Sequence, residues 1–185
     1  MRDARPVVPG DPVSPRVRPA VAADHDAIVA LVPRLRAFGD VPLRDADALD
    51  RAERETLERA LHAPEPEAAL LVAELDAPGV AGVAYAHAAT DYFTGERHGH
   101  LAILAVAAAA EGQGVGRALL GAVEDWARAR GHRFVTLHVF AANARARAVY
   151  ARAGFTPDTV RYYKELAQEP APHDAPSGAP DEDPR

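Results

Sequence analysis

The chain has 185 residues and no cysteine, with 21 Lys and Arg against 27 Asp and Glu, for a formal net charge of −6. This length fits one domain whose core needs no disulfide, and the lack of cysteine excludes thiolate metal sites and a cysteine nucleophile. Most of the negative charge lies in residues 168–185, so the remainder is close to neutral, which disfavours a nucleic-acid partner.

Both ends of the chain have the composition of disordered segments. Residues 1–15 contain four prolines and few apolar side chains, and residues 168–185 are rich in Pro, Ala and acidic residues. Such segments cannot offset the entropy of ordering, so we expect the folded domain to span residues 16–167. There is no run of about 18 apolar residues and no apolar signal-peptide core, so we expect a cytoplasmic protein without a membrane partner.

The first third of the folded part predicts an edge strand and two helices. Residues 17–21 can form a strand only at a sheet edge, because they include Pro19. A helix should begin at Asp24 and end or kink at Pro33. Residues 44–61 have apolar side chains at helical spacing and three acid-first i,i+4 pairs on the outer face, Asp47–Arg51, Asp50–Arg54 and Glu55–Arg59. We interpret that face as solvated, with a substrate lid as the alternative.

Three strands follow. Residues 68–75 and 80–89 are joined by Asp76-Ala77-Pro78-Gly79, which is typical of a hairpin turn. On the third strand, at 97–106, strict alternation would place His98, His100, Ala102 and Leu104 on one face and Leu101, Ile103 and Ala105 on the other. His98 and His100 could form half of a metal site, but no third ligand stands at a recognisable spacing, so we expect no metal.

Residues 101–130 then form the most informative stretch: a buried strand, a glycine turn and an amphipathic helix. Along one stripe, which should face the core, this helix carries Val115, Leu119, Val123, Trp126 and Arg130. Gly112, Gly114 and Gly116 lack β-carbons, so several backbone N–H groups can point outward at a helix N-terminus. Unpaired donors and the positive end of the helix dipole bind phosphate oxygens there. The spacing fits neither a P-loop nor the G-x-G-x-x-G dinucleotide fingerprint.

The last part predicts a strand, a helix and a final strand. Alternation at 134–140 places Phe134, Thr136, His138 and Phe140 on one face of the strand. Asn143 is a natural N-cap for a helix at 144–153, which Gly154 closes. Residues 155–166 are expected to form the final strand.

Two of these stretches resemble, in the right order, the motifs of the GNAT superfamily of N-acetyltransferases. Leu104-Ala105-Val106 and then Glu111-Gly112-Gln113-Gly114-Val115-Gly116-Arg117 are similar to its acetyl-CoA pyrophosphate loop, Q/R-x-x-G-x-G/A, except that Glu111 replaces Arg or Gln. Asn143, Ala146, Tyr150, Gly154 and Phe155 match its second motif. The resemblance implies an α/β fold with a mixed, mostly antiparallel sheet of six to seven strands and about four helices.

The resemblance also implies roles for individual residues. Acetyl-CoA would lie between the strands at 97–106 and 134–140, with Leu104, Ala105, Val106 and Asn143 bonding the pantetheine arm. Gly112, Gln113, Gly114, Val115, Gly116 and Arg117 would hold the pyrophosphate, and Tyr150 would be the general acid. We expect Glu111 to weaken this cradle without abolishing it, since an exposed carboxylate can swing away.

Direct attack of an amine on the thioester also needs a proton acceptor. Many family members carry a Glu on the strand at 97–106, but this chain has none there, so His138 or His100 would serve, with water as the third option. The acceptor is expected to be a small-molecule or peptide amine, and a homodimer is left open. Two alternatives are an acyl-CoA-binding or regulatory module without turnover and a protein N-terminal acetyltransferase.

Overall fold

The structure is a computed structural model that describes residues 14–75 and 79–166. The tails predicted over residues 1–15 and 168–185 therefore lie almost wholly outside the described residues. The same is true of residues 76–78 in the predicted hairpin turn.

A five-stranded sheet forms the centre of the described part, in the order β1-β2-β3-β4-β5. The strands are β1 (Arg16–Pro19), β2 (Ala68–Glu74), β3 (Val80–Thr90), β4 (Arg97–Val106) and β5 (Val135–Leu137). Strands β1 to β4 pair antiparallel, whereas β5 runs parallel to β4. The predicted mixed, mostly antiparallel α/β fold is confirmed, with five strands in place of six or seven.

Within residues 14–75 and 79–166, four α-helices flank the sheet: α1 (His25–Val29), α2 (Ala46–His62), α3 (Val115–Ala129) and α4 (Ala144–Arg152). Short 3-10 helical turns cover Ala22–Asp24, Val32–Arg36 and Ala108–Ala110. None of the helices in the described ranges is long and apolar enough to cross a lipid bilayer.

Two of the helices begin at side-chain caps. The Asp45 side chain accepts a hydrogen bond from the Ala48 amide at 2.8 Å, and Asn143 does the same for Ala146 at 3.0 Å. The three predicted i,i+4 pairs on α2 do not form. Asp50 pairs with Arg36 of the preceding 3-10 turn at 2.7 Å, because that guanidinium can bind both carboxylate oxygens.

Apolar side chains pack on both faces of the sheet. On one face, α3 buries Leu119, Val123 and Trp126, as its stripe predicts; on the other face, α1 and α2 pack over β2 and β3. Helix α3 can approach closely because Gly82 lacks a side chain. A Cβ atom there would lie 2.8 Å from Val115 Cγ1.

A β-bulge in β4 changes which of its side chains share a face. Tyr85 pairs with Ile103 and Ala86 with Leu101, so Ala102 is the extra residue. Leu101 therefore packs on the α3 face and Ile103 on the α1–α2 face. The strict alternation, which grouped these two residues, is wrong because each side chain after a bulge changes sides.

The last two predicted strands are shorter or missing. Strand β5 covers only Val135–Leu137 of the predicted 134–140, and residues 155–166 form no strand. Tyr162 and Leu166 in that last segment are 88% and 75% exposed. A strand requires a neighbouring ladder to satisfy its backbone groups, and no described strand lies beside these residues.

Candidate active site

A gap opens in the sheet where β4 and β5 part. Strand β5 pairs with β4 only from Gly99 to Leu101, while β4 continues to Val106. Along residues 104–106, no described strand lies on the β5 side, so backbone groups there can pair with an extended ligand. The Val106 carbonyl oxygen already accepts a hydrogen bond from Arg34 Nε at 3.2 Å.

The glycine turn leads from this gap into α3. Gly112 has φ 76° and Gly114 has φ 80°, a left-handed conformation that glycine adopts without steric cost. Gly114 is the N-cap residue, and no side chain of the described residues caps the helix. The first N–H groups of α3 are thus free to bind an anion.

The other residues of the predicted pyrophosphate loop have different surroundings. Val115 is 1% exposed and anchors the helix start in the core, so it can offer a ligand only its backbone. Gln113 donates a hydrogen bond from Nε2 to the Ala109 carbonyl at 2.7 Å. Arg117 is exposed and forms no ion pair with a described residue, so its guanidinium can reach a phosphate beside the turn.

Glu111 is held by two arginines, and the expectation that it swings free is wrong. Its carboxylate pairs with Arg34 and, at 2.7 Å, with Arg145 Nη2. The hydrogen bond from Arg145, followed by the charges of both arginines, lowers the pKa of Glu111. We call these three residues the Glu111 clamp. It carries a net positive charge, and it ties the 3-10 turn of Arg34 and helix α4 to the glycine turn.

Tyr150 and Asn143 both belong to the α4 side of the gap. Tyr150 is half-buried against the α3-side core, with its ring centroid 5.9 Å from that of Phe155. Burial raises the pKa of Tyr150, and its hydroxyl forms no hydrogen bond with any described residue. Asn143 uses its side-chain oxygen to cap α4, which leaves its amide nitrogen available as a donor.

Three histidines form a row on the opposite face of the sheet. The ring centroid of His100 in β4 lies 5.4 Å from that of His87 in β3 and 5.0 Å from that of His138, which follows β5. We call these three residues the histidine row. Partial burial, and then the neighbouring imidazoles, lower the pKa of His100 to about 4. His138, at the end of the row, is exposed.

Thr136 connects two histidines of β4. Its Oγ1 atom lies 2.8 Å from His100 Nδ1 and 3.0 Å from His98 Nε2. In the described ranges, no group of three or more His, Asp or Glu side chains is arranged to hold a metal ion. Alternation on β5 correctly placed Thr136 on the face of His138, but no sequence signal indicated that it bonds both histidines.

Aromatic and basic side chains meet beyond the end of β5. The ring centroids of Phe38 and Phe140 lie 5.5 Å apart, and the Cζ atom of Arg44 lies 5.3 Å from the Phe140 ring centroid. Leu43, next to Arg44, has φ 62°, a conformation that leucine rarely adopts. Strained residues of this kind cluster at ligand sites, so this segment is a candidate wall for the acceptor. Sequence analysis missed it, because these residues meet only in the folded chain.

Comparison with known proteins gives a family-level match. Residues 37–155, well over half of the chain, match the model of a family described as acetyltransferase (GNAT) family. The chain is 48% identical to the mycothiol acetyltransferase of Beutenbergia cavernae over 62 residues, which are 34% of this chain and 21% of that relative. The match thus spans about a fifth of the relative's length.

Solved structures share the fold. A putative acetyl transferase from Pyrococcus furiosus superposes with a TM-score of 0.65 at 20% identity, covering 83% of this chain and 100% of that one. An aminoglycoside N-acetyltransferase, AAC(6')-Iy, solved in complex with CoA, gives a TM-score of 0.62 at 21% identity, covering 86% of this chain and 100% of that one.

Proposed function

The chain belongs to the acetyltransferase (GNAT) family, and we propose that it transfers the acetyl group of acetyl-CoA directly to a primary amine. The observation that carries the proposal is the gap between β4 and β5. An uncapped helix N-terminus lies at one end of the gap, and Tyr150 and the histidine row lie on opposite faces of the sheet beside it. This arrangement supports direct transfer, because the acid can approach the leaving thiolate from one side and the base can approach the attacking amine from the other.

The described residues fit a bound acetyl-CoA, which supplies an activated acetyl thioester. The unpaired edge of residues 104–106 suits the extended pantetheine arm, and the amide nitrogen of Asn143 remains available as a donor. The outward N–H groups of α3, from Val115, Gly116 and Arg117, suit the pyrophosphate, with Gly112, Gln113 and Gly114 shaping the turn. The net positive Glu111 clamp favours the same anion.

Tyr150 would act as the general acid. As the carbon–sulfur bond breaks, the thiolate of CoA takes the phenolic proton, and solvent later restores that proton. Burial raises the pKa of Tyr150, so the hydroxyl is protonated at neutral pH, and no other described residue engages it.

His100 would accept the proton that the amine loses as its nitrogen bonds to the acetyl carbon. Once that bond forms, the nitrogen-bound proton is far more acidic than a free ammonium proton, so an imidazole with a pKa of about 4 can accept it. His138 is exposed, and its ring centroid lies 5.0 Å from that of His100, so it would pass the proton to solvent.

We favour a small-molecule amine as the acceptor. The wall of Phe38, Arg44 and Phe140 offers aromatic faces and a guanidinium cation to a compact ligand. Relatives and structural neighbours bear the names mycothiol acetyltransferase and aminoglycoside N-acetyltransferase, which supports the same class. Since acetyl-CoA is an intracellular metabolite, a cytoplasmic location belongs to this proposal.

A binding module without turnover is the less favoured alternative. Two features of the sequence favour it: Glu111 in the phosphate loop and the absence of a carboxylate on the strand at 97–106. Neither feature argues strongly for it in the structure, because two arginines pair with Glu111 and strand β4 carries the imidazole of His100 in place of a carboxylate. A peptide N-terminus as acceptor draws no specific support from the geometry.

An acceptor screen tests the proposal. Thiol release from acetyl-CoA is measured with polyamines, amino acids, aminoglycosides and peptide N-termini. We expect amine-dependent release by the wild type and a fall in kcat of about a hundredfold in Tyr150→Phe, with acetyl-CoA binding retained. Acetyl-CoA binding without amine-dependent release would favour the binding module, and full activity of Tyr150→Phe would exclude Tyr150 as the acid.

A further inference from the structure

We propose that Thr136 and His98 are positioning residues that fix the tautomer of His100 and leave its Nε2 atom free to accept a proton. The inference rests on the proposed acetyl transfer, in which His100 takes the proton of the amine. A short chain of contacts runs from β4 to β5 and back, and the hydrogens available in it limit which ring nitrogens can donate.

The Thr136 hydroxyl contacts two imidazole nitrogens. Its Oγ1 atom lies 2.8 Å from His100 Nδ1 and 3.0 Å from His98 Nε2. A hydroxyl has one hydrogen, so it can donate to only one of these nitrogens. The other nitrogen must carry its own hydrogen and donate it to the oxygen.

The surroundings of His98 decide which of the two nitrogens donates to the Thr136 oxygen. His98 Nδ1 faces the backbone carbonyl oxygen of Glu96 at 3.5 Å, and a carbonyl oxygen can only accept. In a neutral His98, a hydrogen on Nδ1 points at this carbonyl oxygen, whereas a lone pair there would face the oxygen's own lone pairs. This contact favours the Nδ1–H tautomer, in which Nε2 accepts the Thr136 hydrogen. His100 must then donate from Nδ1 to Thr136, which leaves a lone pair on His100 Nε2.

His98 and Thr136 are both held in place by the fold. His98 is only 6% exposed, and its ring stacks on Phe134 with centroids 4.7 Å apart. Thr136 lies directly opposite His100 in the register of β4 and β5. Both partners of His100 are thus held by regular strands and core packing, which is the support that a positioning role needs.

The remaining neighbours keep His100 neutral, as this role requires. His87 faces it from β3, His138 from the end of β5, and His98 from its own strand. All three are imidazoles, and none is an acid that would stabilise a charged His100. No described residue hydrogen-bonds His100 Nε2, so this atom is available to substrate.

The test reads the tautomer directly. Nitrogen-15 NMR of histidine-labelled protein reports which ring nitrogen carries hydrogen, and the His100 signals are assigned by their loss in His100→Gln. We expect the Nδ1–H form of His100 in the wild type and in Thr136→Ser, which keeps the hydroxyl. In Thr136→Val, which keeps the shape but not the hydroxyl, we expect a shift toward the Nε2–H form.

Kinetics then test the consequence. With an accepted amine, kcat of Thr136→Val should fall about three- to tenfold at an unchanged KM for acetyl-CoA, and Thr136→Ser should keep most of the activity. Thr136→Ala provides a second variant without the hydroxyl in case Thr136→Val does not fold.

Two outcomes overturn the inference: the Nε2–H form of His100 in the wild type, or a full kcat in both variants that lack the hydroxyl. A wild type that acetylates no amine would instead overturn the proposed function. The NMR measurement would still decide the tautomer in that case.

Discussion

The pH dependence of acetyl transfer is the sharpest test of the site, because the structure gives His100 an unusual titration. Its pKa is about 4, lowered first by burial and then by the nearby imidazoles of His138, His87 and His98. Each of these effects disfavours the imidazolium form. His100 should therefore remain neutral, and able to accept a proton, down to a pH near 4.

The expected magnitude follows from the titration curve of one group. At about pH 5, an imidazole with a pKa of about 4 is about nine-tenths neutral, whereas an imidazole at its usual pKa of about 6.5 is about 3% neutral. Between about pH 8 and pH 5, the contribution of His100 to kcat/KM should thus change by about 10%. The contribution of an ordinary imidazole would fall about 30-fold.

The assay compares kcat/KM of the wild type with that of His100→Gln across this range. Deprotonation of the acceptor amine affects both proteins equally, so it cancels in the ratio. We expect a ratio well above one that stays level within about twofold. A ratio that falls about 30-fold by about pH 5 would show that burial does not shift His100, and a ratio near one throughout would show that His100 accepts no proton.

The same comparison with His138→Gln distinguishes the two candidate bases. If His138 only relays a proton that His100 accepts, the loss in kcat/KM should be smaller than in His100→Gln at every pH. A larger loss in His138→Gln, with a steep acidic limb that disappears in this variant, would assign the base to His138.

Three further predictions concern the glycine turn and the packing beneath it. In Glu111→Gln, the affinity for CoA measured by calorimetry should rise about two- to fivefold at low salt and less at high salt, because both clamp arginines lose their partner. A lower affinity would mean that the clamp is needed to hold the glycine turn in shape. Gly114→Val should lose acetyl-CoA affinity while keeping its circular dichroism spectrum, since φ is 80° there; unchanged affinity would remove the turn from the site. Gly82→Ala should lower the free energy of unfolding by about 1 to 3 kcal/mol, because its Cβ would lie 2.9 Å from the Ala105 carbonyl oxygen. In urea denaturation, Gly121→Ala is the matched control and should stabilise the fold by about 0.5 to 1 kcal/mol, since nothing lies within 4 Å of a Cβ there.

Elements with a strong local period were predictable from the sequence. Strand β4 has the predicted bounds, and α3 buries the apolar members of its predicted stripe, including Trp126, whereas Arg130 at the end of the stripe is exposed. The cap at Asn143 and the need for glycine at 112 and 114 were also visible, because capping and positive φ depend on one or two residues. These features belong to the chain before it folds.

Features that depend on strand pairing were not predictable. The bulge at Ala102 moves Leu101 and Ile103 to opposite faces, and only the register against β3 shows it. The expected strand at 155–166 is absent for a similar reason: apolar side chains permit an extended chain, but a strand exists only where a neighbouring strand supplies the hydrogen bonds.

The sequence by itself determined the family resemblance and the glycine turn, because both rest on residue types at short, regular spacing, and the resemblance in turn implied the candidate acid. Only the tertiary structure decided which polar groups meet. Thr136 reaches His98 and His100 across a separation of 38 and 36 residues, and Glu111 reaches Arg34 across 77. Contacts at such separations are set by strand register and helix packing, and no local pattern in the chain encodes either.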